Sequence, residues 1–162
     1  PCPIRFQGGQ MRPLSQRIEN AWLIIADSGV HGSTREAVGG LRRRYENDPD
    51  NIGPRISCLG TLAQNAINAL DRADAPALGA TMDEAHAVLA ELSLSLPLLD
   101  ELTEAARGAG ALGAKLTGGG LGGCVIALAT GEPAVRQVRT ALERAGAAAT
   151  WSYRMRVSEV DE

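Results

Sequence analysis

The sequence predicts an α+β sandwich in which helices cover one face of a small antiparallel sheet. Apolar residues recur every three or four positions over four long stretches before residue 114, which is typical of amphipathic helices. Two short apolar runs, 22–26 and 124–129, have the composition of buried strands. Aromatic residues make up only 3% of the chain, so the core must consist mainly of Ala, Leu, Val and Ile.

The chain before residue 114 contains one of these strands and all four helical stretches. The strand 22–26 stops at a turn formed by Asp27-Ser28-Gly29, and Ser33 or Thr34 can cap the helix that follows. After a turn at 47–51, further helices are predicted over 52–70, 78–92 and 97–109.

The last third of the chain contains a glycine-rich segment, in which five of the six positions from 118 to 123 are glycine. This segment leads into the apolar strand 124–129. A last helix is predicted between Pro133 and Gly146, followed by a half-exposed strand over 151–157 with one polar face.

Composition and charge argue against several kinds of partner. The length of 162 residues fits one globular domain or a substantial part of a two-domain enzyme. Because the net charge is −3, we expect binding neither to nucleic acid nor to an anionic membrane. No apolar stretch approaches the roughly 20 residues of a membrane helix and the first residues do not resemble a signal peptide, so we expect a cytoplasmic location.

The cysteines and the first residues indicate reduced thiols and a longer parent protein. Cys2, Cys58 and Cys124 lie far apart without CxxC spacing, which predicts neither a disulfide nor a metal site. The chain starts at Pro1 without Met, and residues 2–7 alternate in character as if a strand were already under way. We therefore expect the chain to be cut from something longer.

The glycine-rich segment is the strongest indication of a functional site in the sequence. Five glycines allow positive φ angles and let backbone N–H groups approach an anion, and phosphate is the natural ligand. A flexible linker is the alternative, but Lys115 and Thr117 before the segment and an apolar strand after it favour a phosphate site. A Rossmann fingerprint is rejected because the segment does not open a helix. A Walker A loop is rejected because Cys124 and Val125 replace its Lys and Ser/Thr.

Two blocks of sequence resemble the GHMP small-molecule kinases. Residues 115–124, KLTGGGLGGC, resemble their third motif, K-x-T-G-A-G-x-G-G-C, with Gly119 in the usual Ala place. Residues 27–38 are similar to the D-T-G-x-x-x-[ST]-T-[KR] segment of the mevalonate kinases within this family, with Ser28 for Thr and His31 at a variable position. The order of helices between the blocks also matches, so the resemblance covers nearly the whole chain.

The resemblance implies a ferredoxin-like C-terminal domain over residues 1–162, with the N-terminal ATP-binding domain absent from this chain. ATP and mevalonate would bind between the two domains. The family's loop P-x-x-x-G-L-G-S-S-A, the carboxylate that holds Mg²⁺ and the catalytic aspartate belong to the first half and have no equivalent here. We therefore expect the isolated chain to be inactive, and its uncovered surface to favour self-association, for example as a homodimer.

Site residues are carried over from the same resemblance. Ser33 and Thr34 would bind the substrate, Thr34 with a supporting role in catalysis, while no metal ligand is expected in this chain. His31 is interpreted as an exposed loop residue or a phosphate contact, His86 as structural and Cys124 as a small buried strand residue. The role of Lys115 stays open between added positive charge and a solvated side chain. The expected phosphate loop comprises Lys115, Thr117, Gly118, Gly119, Gly120, Gly122 and Gly123.

Other functions remain open on the sequence. Within the same family, the chain could belong to a phosphomevalonate kinase or another GHMP enzyme. From a different class, it could be a stand-alone, non-catalytic binding module of ferredoxin-like type. The residues encoded immediately before Pro1 discriminate these hypotheses, because a P-x-x-x-G-L-G-S-S-A stretch supports the kinase and a start codon supports the module.

Overall fold

The structure is a computed structural model that describes residues 3–158. No helix within this range is long and apolar enough to cross a membrane. In chain order the elements are β1 (Ile4–Gln7), β2 (Gln10–Pro13), β3 (Ala21–Asp27), α1 (Thr34–Asn47), α2 (Pro49–Asp71), α3 (Ala75–Glu91), α4 (Pro97–Gly108), β4 (Gly113–Thr117), β5 (Cys124–Thr130), α5 (Glu132–Arg144) and β6 (Ala149–Arg154).

Four strands form one antiparallel sheet in the order β4-β5-β3-β6. Helices α1 to α4 connect β3 to β4, a tight loop connects β4 to β5, and α5 connects β5 to β6. This is the split βαβ arrangement of the ferredoxin-like fold. The predicted α+β class is therefore confirmed, as are the four helices ahead of the glycine-rich segment and the one behind it.

The main core lies between the sheet and helices α4 and α5. Alternate residues along each strand point to the same face, so one set of small and branched side chains meets the helices. The sheet contributes Ile24, Ala26, Leu116, Val125 and Ala127, and the two helices contribute Leu99, Leu102, Val138 and Leu142. On the other face, α2 and α3 cover part of the sheet through a second cluster that includes Leu70, Leu78, Met82 and Leu128.

The sequence-based prediction missed two strands, β2 and β4. The predicted strand 2–7 is observed as β1, with Cys2 outside the described residues, and it pairs with β2 across a Gly8-Gly9 turn. Both turn glycines have positive φ, 58° and 77°, which two-residue hairpins require. The second missing strand is β4, which directly precedes the glycine-rich segment. That segment therefore connects two strands.

Two predicted boundaries were wrong. The turn expected at 47–51 is reduced to Asp48, because Asn47 ends α1 and Pro49 is already the first residue of α2. Asp48 is the N-cap of α2 and accepts the N–H of Asn51 at 3.2 Å. The predicted strand 151–157 ends earlier, at Arg154, and its apolar face is not covered. Trp151 and Tyr153 are 53% and 44% exposed because β6 is the outermost strand of the sheet.

Helix α3 covers the opposite edge of the sheet. The N–H of Ala114 donates to Asp83 Oδ1 at 2.8 Å, and that of Leu116 donates to His86 Nδ1 at 3.2 Å. These bonds satisfy backbone donors that an edge strand would otherwise expose. His86 is buried and its Nε2 lies 3.0 Å from Asp100 Oδ1, which supports the structural role predicted for it. The helix thereby fixes the strand that leads into the glycine-rich segment.

Candidate functional site

The two sequence blocks singled out above meet at one end of the sheet. The glycine loop, residues 118–123, connects β4 to β5, and the β3–α1 loop, residues 28–33, follows β3. Because Asp27 lies opposite Cys124 in the β3–β5 register, both loops leave the sheet at the same end. The N–H of Ser28 donates to Gly123 O at 2.9 Å, and the N–H of Gly123 donates to Val30 O at 2.8 Å. The two loops therefore form one backbone-bonded unit.

Glycine is required where the loops touch. A Cβ on Gly32 would lie 2.7 Å from the carbonyl oxygens of both Gly120 and Leu121. A Cβ on Gly122 would lie 2.5 Å from Val30 O. Both distances are below any normal carbon–oxygen contact, and the obstructing atoms are backbone atoms that no side-chain rotation can remove. The close approach of the two blocks thus depends on the absence of side chains on both sides.

The outer part of the glycine loop can receive an anion. Gly118 is exposed with φ 92°, and neither its N–H nor that of Gly119 donates to any acceptor within residues 3–158. Free N–H groups in a turn containing positive φ angles form the kind of concavity that binds phosphate oxygens. The backbone geometry is therefore compatible with a phosphate group, and the phosphate site stays a prediction.

Thr34 lies beside this part of the loop. A Cβ built on Gly119 would be 3.0 Å from Thr34 Oγ1, so the hydroxyl lies next to the glycine backbone. The side chain of Thr34 is exposed, and its hydroxyl makes no hydrogen bond with any described residue. The structure thus brings Thr34 and the phosphate loop together and leaves the hydroxyl free.

Of the two residues that the sequence offered as the cap of helix α1, Ser33 is the N-cap. Its Oγ accepts the N–H of Glu36 at 3.3 Å, while Thr34 is already the first helical residue. The positive end of a 14-residue helix therefore points at the site and favours negative charge there. Ser33 and Thr34 are adjacent in sequence, but Ser33 caps the helix whereas the Thr34 hydroxyl stays free.

The start of the β3–α1 loop is shaped by its own side chains. Asp27 Oδ1 accepts the N–H of Gly29 at 2.9 Å, and Ser28 Oγ accepts the N–H of Val30 at 3.2 Å. Such side-chain bonds to the backbone two residues on are a standard turn device. The variable residue His31 is exposed. These two bonds fix the backbone at the start of the β3–α1 loop.

Lys115 does not join the glycine loop. It lies on β4, and its Nζ donates to Leu116 O at 2.6 Å. Burial lowers the pKa of its ammonium group. Thr117 is the last residue of β4, half-buried and opposite Cys124. Of the two polar residues expected to flank the loop, the structure therefore shows one bonded within its own strand and the other at the loop's base.

Cys124 is the first residue of β5, as the sequence suggested, but it is half-buried and not buried as predicted. Burial, and then the negative charge of Asp27, raise the pKa of its thiol, so the thiolate is disfavoured. Residues 3–158 also contain no group of three or more His, Cys, Asp or Glu side chains placed to hold a metal ion.

One anchor of the site was missed by reasoning from the sequence. Leu121 is the single non-glycine residue in the glycine loop, and its N–H donates to Leu94 O at 2.8 Å. Leu94 is buried in the connection between α3 and α4. The available signal was the apolar side chain of Leu121 within an otherwise bare loop.

The family model for the C terminal of the GHMP kinases matches residues 66–148. The chain belongs to the GHMP kinases. The matched range contains the glycine loop and both strands that flank it. In this GHMP kinase domain, Gly119 stands where the motif usually has Ala, and the structure places that position against Thr34.

Among curated proteins, the chain is similar to mevalonate kinases of two Pyrococcus species. The mevalonate kinase of Pyrococcus abyssi is 43% identical over 129 residues, which cover 76% of this chain and 38% of the relative. That of Pyrococcus horikoshii is 41% identical over 148 residues, covering 88% of this chain and 43% of the relative. The chain thus spans about two fifths of the length of these relatives.

The crystal structure of L. major mevalonate kinase in complex with R-mevalonate superposes with a TM-score of 0.89 at 25% identity. The superposition covers 97% of this chain and 49% of that chain. The GHMP kinase C-terminal fold is therefore present over essentially the whole described range.

Proposed function

We propose that this chain is the C-terminal domain of a mevalonate kinase, which transfers the γ-phosphoryl group of ATP to the 5-hydroxyl of mevalonate. The observation that carries the proposal is the free hydroxyl of Thr34, held beside Gly119 at the positive end of α1. The relatives named mevalonate kinase, at 41–43% identity, support this acceptor over others in the family.

The glycine loop would contribute to phosphate binding. Phosphoryl transfer needs positioning and neutralisation of charge more than covalent help from the protein. The N–H groups of Gly118 and Gly119, which make no hydrogen bond within residues 3–158, are suited to phosphate oxygens, and the backbone bonds between the two loops hold them in place. ATP, when bound, supplies the group to be transferred. Mg²⁺ would be held by carboxylates of the N-terminal domain, since the described residues offer no such cluster.

Thr34 would act where the negative charge develops. Its hydroxyl can donate to an oxygen of the transferred phosphoryl group or to the acceptor, and the α1 dipole favours the same charge. Ser33 orients this helix terminus by capping it. The β3–α1 loop, stiffened by Asp27 and Ser28, would form the wall on the mevalonate side.

The exposed hairpin indicates where another domain would pack. Ile4, Phe6 and Met11 of β1 and β2 are 57%, 70% and 72% exposed. A cluster of exposed apolar side chains of this kind marks a contact surface. We assign it to the N-terminal kinase domain, and we expect the isolated chain to self-associate, in the simplest case as a homodimer. A strictly monomeric chain at high concentration in sedimentation would count against this assignment.

A substrate comparison tests the proposed function. The full-length protein is incubated with ATP, Mg²⁺ and either mevalonate, phosphomevalonate or homoserine, and ADP formation is followed. We expect mevalonate to be preferred and the 162-residue chain alone to form no ADP. Preference for phosphomevalonate would replace the proposal by the neighbouring kinase. A start codon directly before Pro1, with no turnover of any substrate, would indicate the stand-alone module.

A further inference from the structure

We propose that Leu121 is a positioning residue that anchors the glycine loop to helix α1, and thereby sets the position of Gly119 relative to Thr34. The inference rests on the proposed function, because Thr34 and the loop matter as a pair only if phosphate is transferred there. Its evidence lies in the backbone conformation, the side-chain packing and the hydrogen bonding of this one residue.

The backbone of Leu121 adopts a conformation that favours glycine. Its φ is 57°, in the left-handed region, and glycines precede and follow it in the loop. A sixth glycine would meet the same backbone requirement without steric opposition. The leucine side chain is therefore present in spite of the backbone geometry, which calls for a separate reason.

Packing provides that reason. The side chain of Leu121 is partly buried against a cluster formed by Ala37, Ile52, Leu92 and Leu94. Ala37 lies on α1 three residues after Thr34, so the cluster includes the first turn of the helix that carries the free hydroxyl. The leucine side chain thus ties the otherwise bare loop to the apolar cluster to which α1 contributes Ala37.

The backbone of Leu121 is held from two further directions. Its N–H donates to Leu94 O at 2.8 Å, which links the loop to the α3–α4 connection. Its carbonyl oxygen lies against Gly32, where an added Cβ would approach it to 2.7 Å. Three separate segments therefore converge on Leu121.

Removing the side chain should loosen the loop selectively. With Gly at 121 the backbone bonds can still form, but the apolar contact that opposes loop movement is lost. The N–H groups of Gly118 and Gly119 would then be less well placed relative to Thr34. Misplacement of reacting groups by about 1 Å can lower a rate roughly 100-fold. A looser loop should cause a reduction up to this size.

The test compares Leu121→Gly, Leu121→Met and Leu59→Ala in the full-length protein. Leu59 packs against the same cluster from α2 and is not part of the loop, so its truncation is the matched control for lost packing. We expect Leu121→Gly to lower kcat/KM for ATP by about tenfold to 100-fold through a raised ATP KM. Leu121→Met should keep kcat/KM for ATP close to the wild-type value, because methionine can replace most of the apolar contact. Leu59→Ala should lower the melting temperature without changing the ATP KM.

A second readout does not depend on catalysis. The amide protons of Ser28 and Gly123 form the bonds between the two loops, so their hydrogen exchange reports whether the loops stay together. We expect faster exchange at both in Leu121→Gly and not in Leu59→Ala. Unchanged exchange with an unchanged ATP KM would overturn the inference and leave Leu121 as an ordinary core residue. Wild-type protein without kinase activity would refute the proposed function instead, while the exchange result would still decide the role of Leu121.

Discussion

Replacing Gly32 by Ala is the most direct perturbation of the contact between the two loops. The added methyl group would lie 2.7 Å from two carbonyl oxygens, those of Gly120 and Leu121. Comfortable carbon–oxygen contacts begin near about 3.3 Å, so the loops must separate by roughly 0.6 Å. Gly32 does not have a positive φ, so the substitution adds bulk without demanding a new backbone conformation.

The magnitude follows from overpacking. Forcing extra atoms into a filled space costs about 1–3 kcal/mol, and here the obstructing atoms belong to the backbone and cannot rotate away. Gly40 offers a matched control on α1, because a Cβ there would meet nothing within 4 Å. Gly40→Ala should stabilise the protein by about 0.5–1 kcal/mol, since Gly in the middle of a helix is unfavourable.

Thermal unfolding of both variants beside the wild type provides the assay. For a chain of this size, each kcal/mol corresponds to about 2–4 °C in melting temperature, so the opposite signs are resolvable. In the full-length protein, Gly32→Ala should also lower kcat/KM for ATP, because the added methyl group displaces the glycine loop relative to Thr34. A Gly32→Ala protein as stable as the Gly40→Ala protein would refute the close packing of the two loops.

Two further predictions concern titratable side chains. Burial, only partly offset by Asp100, lowers the pKa of His86 below its ordinary 6.5, while Arg107 and Lys115 add to the lowering. The free energy of unfolding should therefore be highest above pH 6.5 and decrease as the pH falls from 6.5 toward the folded-state pKa, because the unfolded chain gains the proton first. His86→Asn should flatten this decrease in pH-dependent melts, and an equally steep decrease in the variant would contradict the assignment. Iodoacetamide at neutral pH should modify the exposed Cys58 well before Cys124, whose pKa is raised by burial and by Asp27; faster modification of Cys124, mapped by mass spectrometry, would be the contrary result.

The fold was predictable because its main elements have strong local patterns. Helix α2 shows its apolar periodicity over 52–70, and β5 is a continuous apolar run. Strand β4 lacked such a signal, since it is short and contains Lys115. Its outer N–H groups are satisfied by Asp83 and His86, which lie about 30 residues away in sequence. That pairing is a consequence of tertiary packing and leaves no local pattern.

The candidate site was predictable in its parts but not in its assembly. Motif resemblance identified Thr34 and the glycine loop, whereas their contact depends on the β3–β5 register that sets Asp27 opposite Cys124. The part played by Leu94 could not be inferred, because it acts through its backbone carbonyl oxygen, which every residue has. The difference between Ser33 and Thr34 likewise required the observed start of α1.

The proposed action of the Thr34 hydroxyl on the transferred phosphoryl group can be tested by one kinetic comparison. Steady-state kinetics and thermal melts are measured for Thr34→Ala and Ser33→Ala in the full-length protein with ATP and mevalonate. We expect Thr34→Ala to lower kcat by roughly 10²–10³, as for other donors that stabilise developing charge, with little change in melting temperature. Ser33→Ala should instead cost about 1 kcal/mol of stability through the lost N-cap and affect kcat far less. A Thr34→Ala enzyme with unchanged kcat would show that the Thr34 hydroxyl does not act in phosphoryl transfer.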